Sequence, residues 1–264
     1  MTMEKSVHKS KVNITLELAI FVTIVITLIP IVWIAILAFL PNKSIIGSNF
    51  DFSFWLGNFR TLADPGQNFV RQIFNSLTIT FGTVILTLVI GSGSGYSLSK
   101  LRPPKWATTP VFILASFLPI VPPITLVPGI YVTLTNLNLL GSVTGLVLVN
   151  TVFNLPFAIL MIKSYFDQIP DELREAALVD GASERRVFFS VLLPLAKPGL
   201  GAVAIYVAIM AWNEFLMGLI MTTGGGAAPL TVGIASLVQD YEITFGQMSA
   251  SGFVAAIPIQ KQTS

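Results

Sequence analysis

From Leu18 to Leu40 the chain runs for 23 residues without one charged side chain, broken only by Thr23, Thr27 and Pro30. The hydrocarbon core of a bilayer is crossed by about 20 apolar residues in a helix. The apolar core of a cleavable signal peptide is shorter, about 7 to 15 residues, so this run is expected to be an uncleaved first span. The rest of the chain agrees: 53% of its 264 residues are hydrophobic and 11% charged, against roughly 25% charged in a soluble domain. The expected fold class is all-α, a polytopic membrane helical bundle of about six spans in one transmembrane domain, 1–264.

The second span is expected at about 73–98. Inside it, Gly91-Ser-Gly-Ser-Gly95 lacks both the spacing and the preceding strand of a dinucleotide loop. Two glycines four apart instead suit close packing of two helices. The third span, about 109–134, contains Pro119, Pro122, Pro123 and Pro128. Each removes a backbone donor, so a straight lipid-facing helix is untenable and a break is expected. A fourth span is placed at about 142–166 with a kink near Pro156, and a fifth at about 199–221. The sixth, about 248–259, meets Gln260-Lys261-Gln262 after about a dozen residues, too few to cross unless tilted, shielded or truncated.

Six spans put both termini on one side, and the basic residues select it. Twelve of the fifteen Lys and Arg residues lie on that side: Lys5, Lys9 and Lys11 in the N-terminal arm, Lys100, Arg102 and Lys105 in the next loop, Lys163, Arg174, Arg185, Arg186 and Lys197 around the following one, and Lys261. Only Lys43, Arg60 and Arg71 lie opposite. By the positive-inside rule the N-terminus and the stretch 171–198 are cytoplasmic.

That stretch, DELREAALVDGASERRVFFSVLLPLAKP, is the longest polar interlude in the chain. Pro170 suits the start of a helix, and Asp171, Glu172 and Glu175 set negative charge at its positive end. Leu173, Ala176 and Ala177 fall at i, i+3 and i+4, a shallow face that another surface can approach closely. Asp180-Gly181 should end the helix, because glycine tolerates the positive φ of a closing turn. Ser183 suits the N-cap of a second helix that carries Val187, Phe188, Val191 and Leu192 and ends or kinks near Pro194.

The order Glu175-Ala176-Ala177, three residues, Gly181, nine residues, Val191, one residue, Leu193-Pro194 resembles the EAA signature of the permeases of binding-protein-dependent ABC importers. In that family the segment is a coupling helix that docks on the ATP-binding subunit. Glu175, Ala176, Ala177, Asp180, Gly181, Val191, Leu193 and Pro194 are therefore the expected contacts to an ATPase. The resemblance also extends from the first span to Pro258 and is greatest to the smaller permease of maltose-type importers. The segment from Pro229 to Gly233 and Tyr241 is similar to the external loop that meets the binding protein. Family members ordinarily complete a sixth span after the position of Pro258.

No Gly-rich loop ending in Gly-Lys-Ser/Thr occurs, so ATP hydrolysis is expected on another chain. With no cysteine and a single histidine, His8 in the polar arm, neither metal ligation nor histidine-based catalysis is supported. The resemblance implies no cofactor here, with ATP and Mg on the partner ATPase. Trp212-Asn213-Glu214-Phe215 puts a carboxylate inside the fifth span, where it must face the bundle interior, a partner or water. Two readings stand open: Trp212, Asn213 and Glu214 line the translocation path, or the polar pair makes structural hydrogen bonds. Asn75-Ser76 offers a similar choice at the start of the second span.

The resemblance implies a second homologous permease, two ATP-binding subunits, an external solute-binding protein and a sugar or oligosaccharide substrate in the prokaryotic inner membrane, with no nucleic acid involved. Alternatives are a permease for a glycerol phosphate or polyol and a non-transporting membrane scaffold. An ion-coupled transporter would carry coupling charges in several spans.

Overall fold

In a computed structural model, the protein is described at residues 14–46, 53–222, 226–238 and 244–260. Most of the N-terminal basic arm, Tyr241 and Lys261 lie outside these residues. The described chain is all-α. Its elements are α1 (Ile14–Ala38), α2 (Asn42–Ile46), α3 (Gly57–Ala63), α4 (Phe69–Tyr96), α5 (Lys105–Phe117), α6 (Pro123–Asn136), α7 (Val143–Asp167), α8 (Asp171–Val179), α9 (Glu184–Val187), α10 (Leu193–Leu195), α11 (Lys197–Trp212), α12 (Leu216–Met221), α13 (Leu230–Ala235) and α14 (Phe245–Gln260).

Three helices among these are long and apolar enough to cross a bilayer: Ile14–Ala38, the α4 continuation Phe69–Leu101, and Val143–Asp167. The other apolar runs are interrupted, and the interruptions have local causes. The expected third span stops at Phe117 and restarts at Pro123, which sits at the first helical position where a missing N–H costs nothing. The expected fifth span stops at Trp212 and resumes at Leu216. Helix α14 starts at Phe245, three residues ahead of the sequence reading.

Helices α4 and α7 form the centre of the bundle. Their close approach depends on Gly95: a Cβ there would lie 2.8 Å from Ile162 Cγ2 and 3.1 Å from the Lys163 backbone nitrogen. Gly91, one turn earlier, faces the same isoleucine. Helix α11 lies on this pair, and Tyr96, Ile162, Phe166, Val187, Leu192, Val203 and Val207 make one buried cluster at that end. At the other end Ala38, Leu62, Phe69, Trp212, Leu230 and Ala250 make another, joining the end of α1 to α14. From Ile14 to Ile34, α1 is exposed, as expected of an apolar helix whose neighbours are lipid or another subunit.

Each end of α4 is fixed by a separate polar network. Near its start the Asn75 amide donates to the Gly226 and Ala228 carbonyls, both at 3.0 Å, and Ser76 Oγ accepts from Leu230 N at 2.8 Å. Asn75-Ser76 thus fastens the 226–230 loop and α13. Near its other end, Tyr96, Ser99, Lys100 and Arg102 hold α7, α8 and α9. Twenty residues separate Ser76 from Tyr96, about 30 Å of helix and the thickness of a hydrocarbon core.

Candidate functional site

Helix α8 begins immediately after Pro170, whose φ of −55° and ψ of 136° make it the cap rather than the first helical residue. Asp171 is the first helical residue, and its carboxylate does more than face the helix dipole. Lys100, its side chain only 3% exposed, donates from Nζ to Asp171 Oδ1 and to the Ile169 carbonyl, each at 2.6 Å. Arg102 Nη2 reaches Asp171 Oδ2 at 2.9 Å. The Lys100 hydrogen bond and charge, with Arg102 beyond, hold the Asp171 carboxyl below the usual carboxylate range.

The helix closes by a doubly bonded turn: Gly181 N donates to the Leu178 carbonyl and Ala182 N to the Ala177 carbonyl, both at 3.0 Å. Gly181 takes φ +83°, the left-handed conformation this closure requires. Ser183 Oγ then accepts from Arg186 N and starts α9. Glu184, at its first turn, pairs with Arg174 of α8 and accepts from the Tyr96 hydroxyl at 2.5 Å. Partial burial opposes ionisation of Glu184, but the hydrogen bonds from Tyr96 and Arg174 outweigh it and lower its pKa.

This anchoring gives α8 two faces. Ala177 and Leu178, with Ala182 after the turn, pack on the cluster beneath. Glu172, Leu173, Glu175, Ala176, Val179, Asp180 and Gly181 point out. Val179 is 88% exposed, an apolar knob with nothing on it. The residues of the EAA-like pattern therefore separate: Glu175, Ala176, Asp180 and Gly181 are on the open face, while Ala177, Val191 and Leu193 face the core cluster. Pro194 is exposed. Ahead of it, Phe188–Leu192 widens into a π turn, consistent with a proline that has no N–H and crowds the carbonyl four residues back. The chain then bends by 74° between Leu195 and Lys197.

A second feature lies deeper. The two helix interruptions, 118–122 and 213–215, flank one cleft of about 390 Å³ against α7 and α11. Its polar lining is Asn150 and Asn154 of α7, Tyr206 of α11 and Glu214. Asn150 and Asn154 are 3% and 9% exposed. Each donates one side-chain N–H to the carbonyl four residues back, Leu146 at 2.9 Å and Asn150 at 2.8 Å. Glu214 accepts from Met217 N at 2.6 Å and Gly218 N at 2.9 Å. Those donors are among the ones the new helix α12 leaves unpaired, so the carboxylate makes a broken helix tenable here.

The neighbours of Glu214 do other work. Asn213 is exposed and donates back to the Ile209 carbonyl at 2.8 Å, finishing α11. Trp212 is buried and its indole Nε1 donates to the Ala255 carbonyl at 3.2 Å, tying α11 to α14. Of the three residues only Glu214 lines the cleft. Sequence reasoning passed over Asn150, Asn154 and Tyr206, although two amides one turn apart in an apolar helix are a legible signal. It also passed over Tyr96 and Glu184 and read Lys100 only as a topology charge; the Tyr96–Glu184 and Lys100–Ile169 contacts span 88 and 69 residues.

Residues 87–259 match the family model described as binding-protein-dependent transport system inner membrane component. The chain is 31% identical over 243 residues to the diacetylchitobiose uptake system permease protein NgcG of Streptomyces coelicolor, covering 89% of this chain and 78% of that one. It is 31% identical over 238 residues to the trehalose/maltose transport system permease protein MalG of Thermococcus litoralis, covering 89% and 85%. Its fold matches a chain from the crystal structure of a bacterial ABC transporter involved in import of the acidic polysaccharide alginate, with TM-score 0.76, 20% identity, and 95% and 96% coverage. A bundle of apolar helices with this family match is a multi-pass membrane transport subunit, and the chain belongs to the family of binding-protein-dependent transport system inner membrane components.

Proposed function

We propose that this chain is the permease subunit of an ATP-driven importer for a sugar or oligosaccharide, pairing with a second permease to form the path. The observation that carries the proposal is α8: an open face of Leu173, Ala176 and Val179 rimmed by Glu172, Glu175 and Asp180, braced from below by the ion pairs of Asp171 to Lys100 and Arg102 just past the end of α4. Such a face suits a groove on an ATP-binding subunit, which would hold the ATP and Mg that this chain has no loop to bind. The N-terminus and α8 are cytoplasmic on the distribution of Lys and Arg. At the far end of α4, the 226–235 segment is the surface for an external binding protein.

Closure of the ATPase dimer displaces α8. The Lys100–Asp171 and Tyr96–Glu184–Arg174 contacts carry that displacement into α4, and α4 with α7 reopens the cleft on the other side. Glu214 is poorly disposed to act as an ion-coupling group, because both carboxylate oxygens already accept backbone N–H groups.

Reconstitution of the purified complex in proteoliposomes tests the reading. Uptake of labelled sugar that requires internal ATP and is indifferent to an ion gradient is expected. Uptake driven by the gradient alone would overturn it.

A further inference from the structure

We propose that Thr83 with Asn150 and Thr87 with Asn154 form a polar latch between α4 and α7, open in this conformation and closed in the opposite one of the transport cycle. The proposal rests on the importer reading and adds the residues that set the balance between its two states.

The first observation is register. The buried line of α4 is Ile79, Thr83, Thr87, Gly91 and Gly95, and that of α7 is Leu146, Asn150, Asn154, Ala158 and Ile162, each stepping by four residues. Rows of that step are the ridges along which two helices interlock. Both ends of the seam are fixed: Ile79 and Leu146 share one buried cluster, and a Cβ on Gly95 would lie 2.8 Å from Ile162. The same separation of 67 positions holds at either end, which sets Thr83 level with Asn150 and Thr87 level with Asn154.

The second observation is that these polar groups, brought level, do not pair. Thr83 and Thr87 are 0% exposed and their hydroxyls have no hydrogen-bond partner. Elsewhere in this chain the hydroxyls of Thr27, Thr78, Thr133, Thr151 and Thr222 each donate to the carbonyl four residues back, at 2.6 to 2.8 Å. Thr83 and Thr87 make no such bond. Across the seam, Asn150 and Asn154 each engage one N–H on their own helix and border the cleft. A buried hydroxyl without a partner is costly, and a carboxamide can both donate to it and accept from it.

A rotation of α7 against α4 that carries the two amides from the cleft to the seam satisfies both hydroxyls. The unpaired hydroxyls raise the free energy of this conformation and the closed pairs lower that of the other. All four groups are uncharged, so the latch works at a depth where an ion pair would be far more costly.

The test uses the purified complex of this chain with its partner permease and ATPase. Thr83→Val and Thr87→Val keep the shape and remove the hydroxyl; Thr83→Ser and Thr87→Ser keep the hydroxyl. Thermal midpoints are read without nucleotide and with a non-hydrolysable ATP analogue, alongside ATP turnover. Each valine variant should hold or raise the midpoint of one state and lower that of the other. Turnover should fall roughly fivefold, the equilibrium weight of one net hydrogen bond, and stay near the parent's in the serine variants. Asn154→Leu added to Thr87→Val should slow turnover no further than the slower single variant. The proposal falls if the valine variants move both midpoints in the same direction or neither, if their turnover is unchanged, or if the Thr87 and Asn154 effects multiply. Absence of a co-purifying ATPase would instead overturn the importer reading, and this proposal with it.

Discussion

The Tyr96 hydroxyl donates to Glu184 Oε2 at 2.5 Å, joining the last residue of a long apolar helix to the first of a short polar one 88 positions later. Arg174 of α8 reaches the same carboxylate. Three separate segments thus meet at one acidic group.

Tyr96→Phe removes one hydroxyl and keeps the ring against Phe166 and Phe188. A hydrogen bond to a charged group contributes about 1.5–3 kcal/mol, so the brace should loosen while the core holds. Hydrogen exchange in 171–195 is expected to quicken by about tenfold or more, with the 143–162 amides unaffected. Equal protection in both proteins would show that the hydroxyl is not a tether.

The Lys100–Asp171 pair has an acid limit. Because the folded pKa of Asp171 is depressed, its contribution is fully present above the ordinary value of 3.8 and is lost as pH falls through the lowered one. At neutral pH the tether is intact. Exchange at the start of α8 should rise only below about pH 4, and Lys100→Met should weaken that dependence, leaving the part due to Arg102, while raising exchange at pH 7. An acid rise that persists unchanged in Lys100→Met would assign it to another group.

On the open face, Glu175→Lys reverses a charge, and Gly181→Val forces a branched side chain into φ +83°, at a cost of about 1–2 kcal/mol or more. Both variants should insert in the membrane normally and recover less ATP-binding subunit on affinity purification. Full recovery from both would remove α8 from the docking surface.

Glu214→Ala leaves Met217 N and Gly218 N without their acceptor, a cost of about 1–3 kcal/mol for each buried donor. Uptake should fall more than complex yield, and Glu214→Gln should recover part of it. If yield and uptake fall together, the residue serves only to hold α12.

Much of this was legible in the residues. The boundaries of α8, the cap at Ser183 and the closing glycine follow from local chemistry that any short segment carries, and the Gly91/Gly95 spacing announced a close helix contact, though not that α7 makes it. The interruption at Pro119–Pro123 was equally plain. The one at Asn213–Glu214 was not, because no proline marks it: Asn213 closes α11 on the Ile209 carbonyl, and the Glu214 carboxylate starts α12 only by accepting from two later amides. Asp171 read as a dipole charge because its partners lie 69 and 71 residues away. The cleft escaped for a related reason, since it exists only where two broken helices and α7 converge.

The brace beneath α8 also limits how such proteins can be recombined. Residues 171–198 read as a self-contained module, yet Lys100 would be left buried with no carboxylate, and Glu184 with no phenol, if donor and host differed at these places. A segment transplanted from a relative must bring along the 96–102 corner of its own α4. Within a lineage the two stretches are expected to change together, so that a change in the face α8 presents travels as a pair of distant sequence blocks rather than as one.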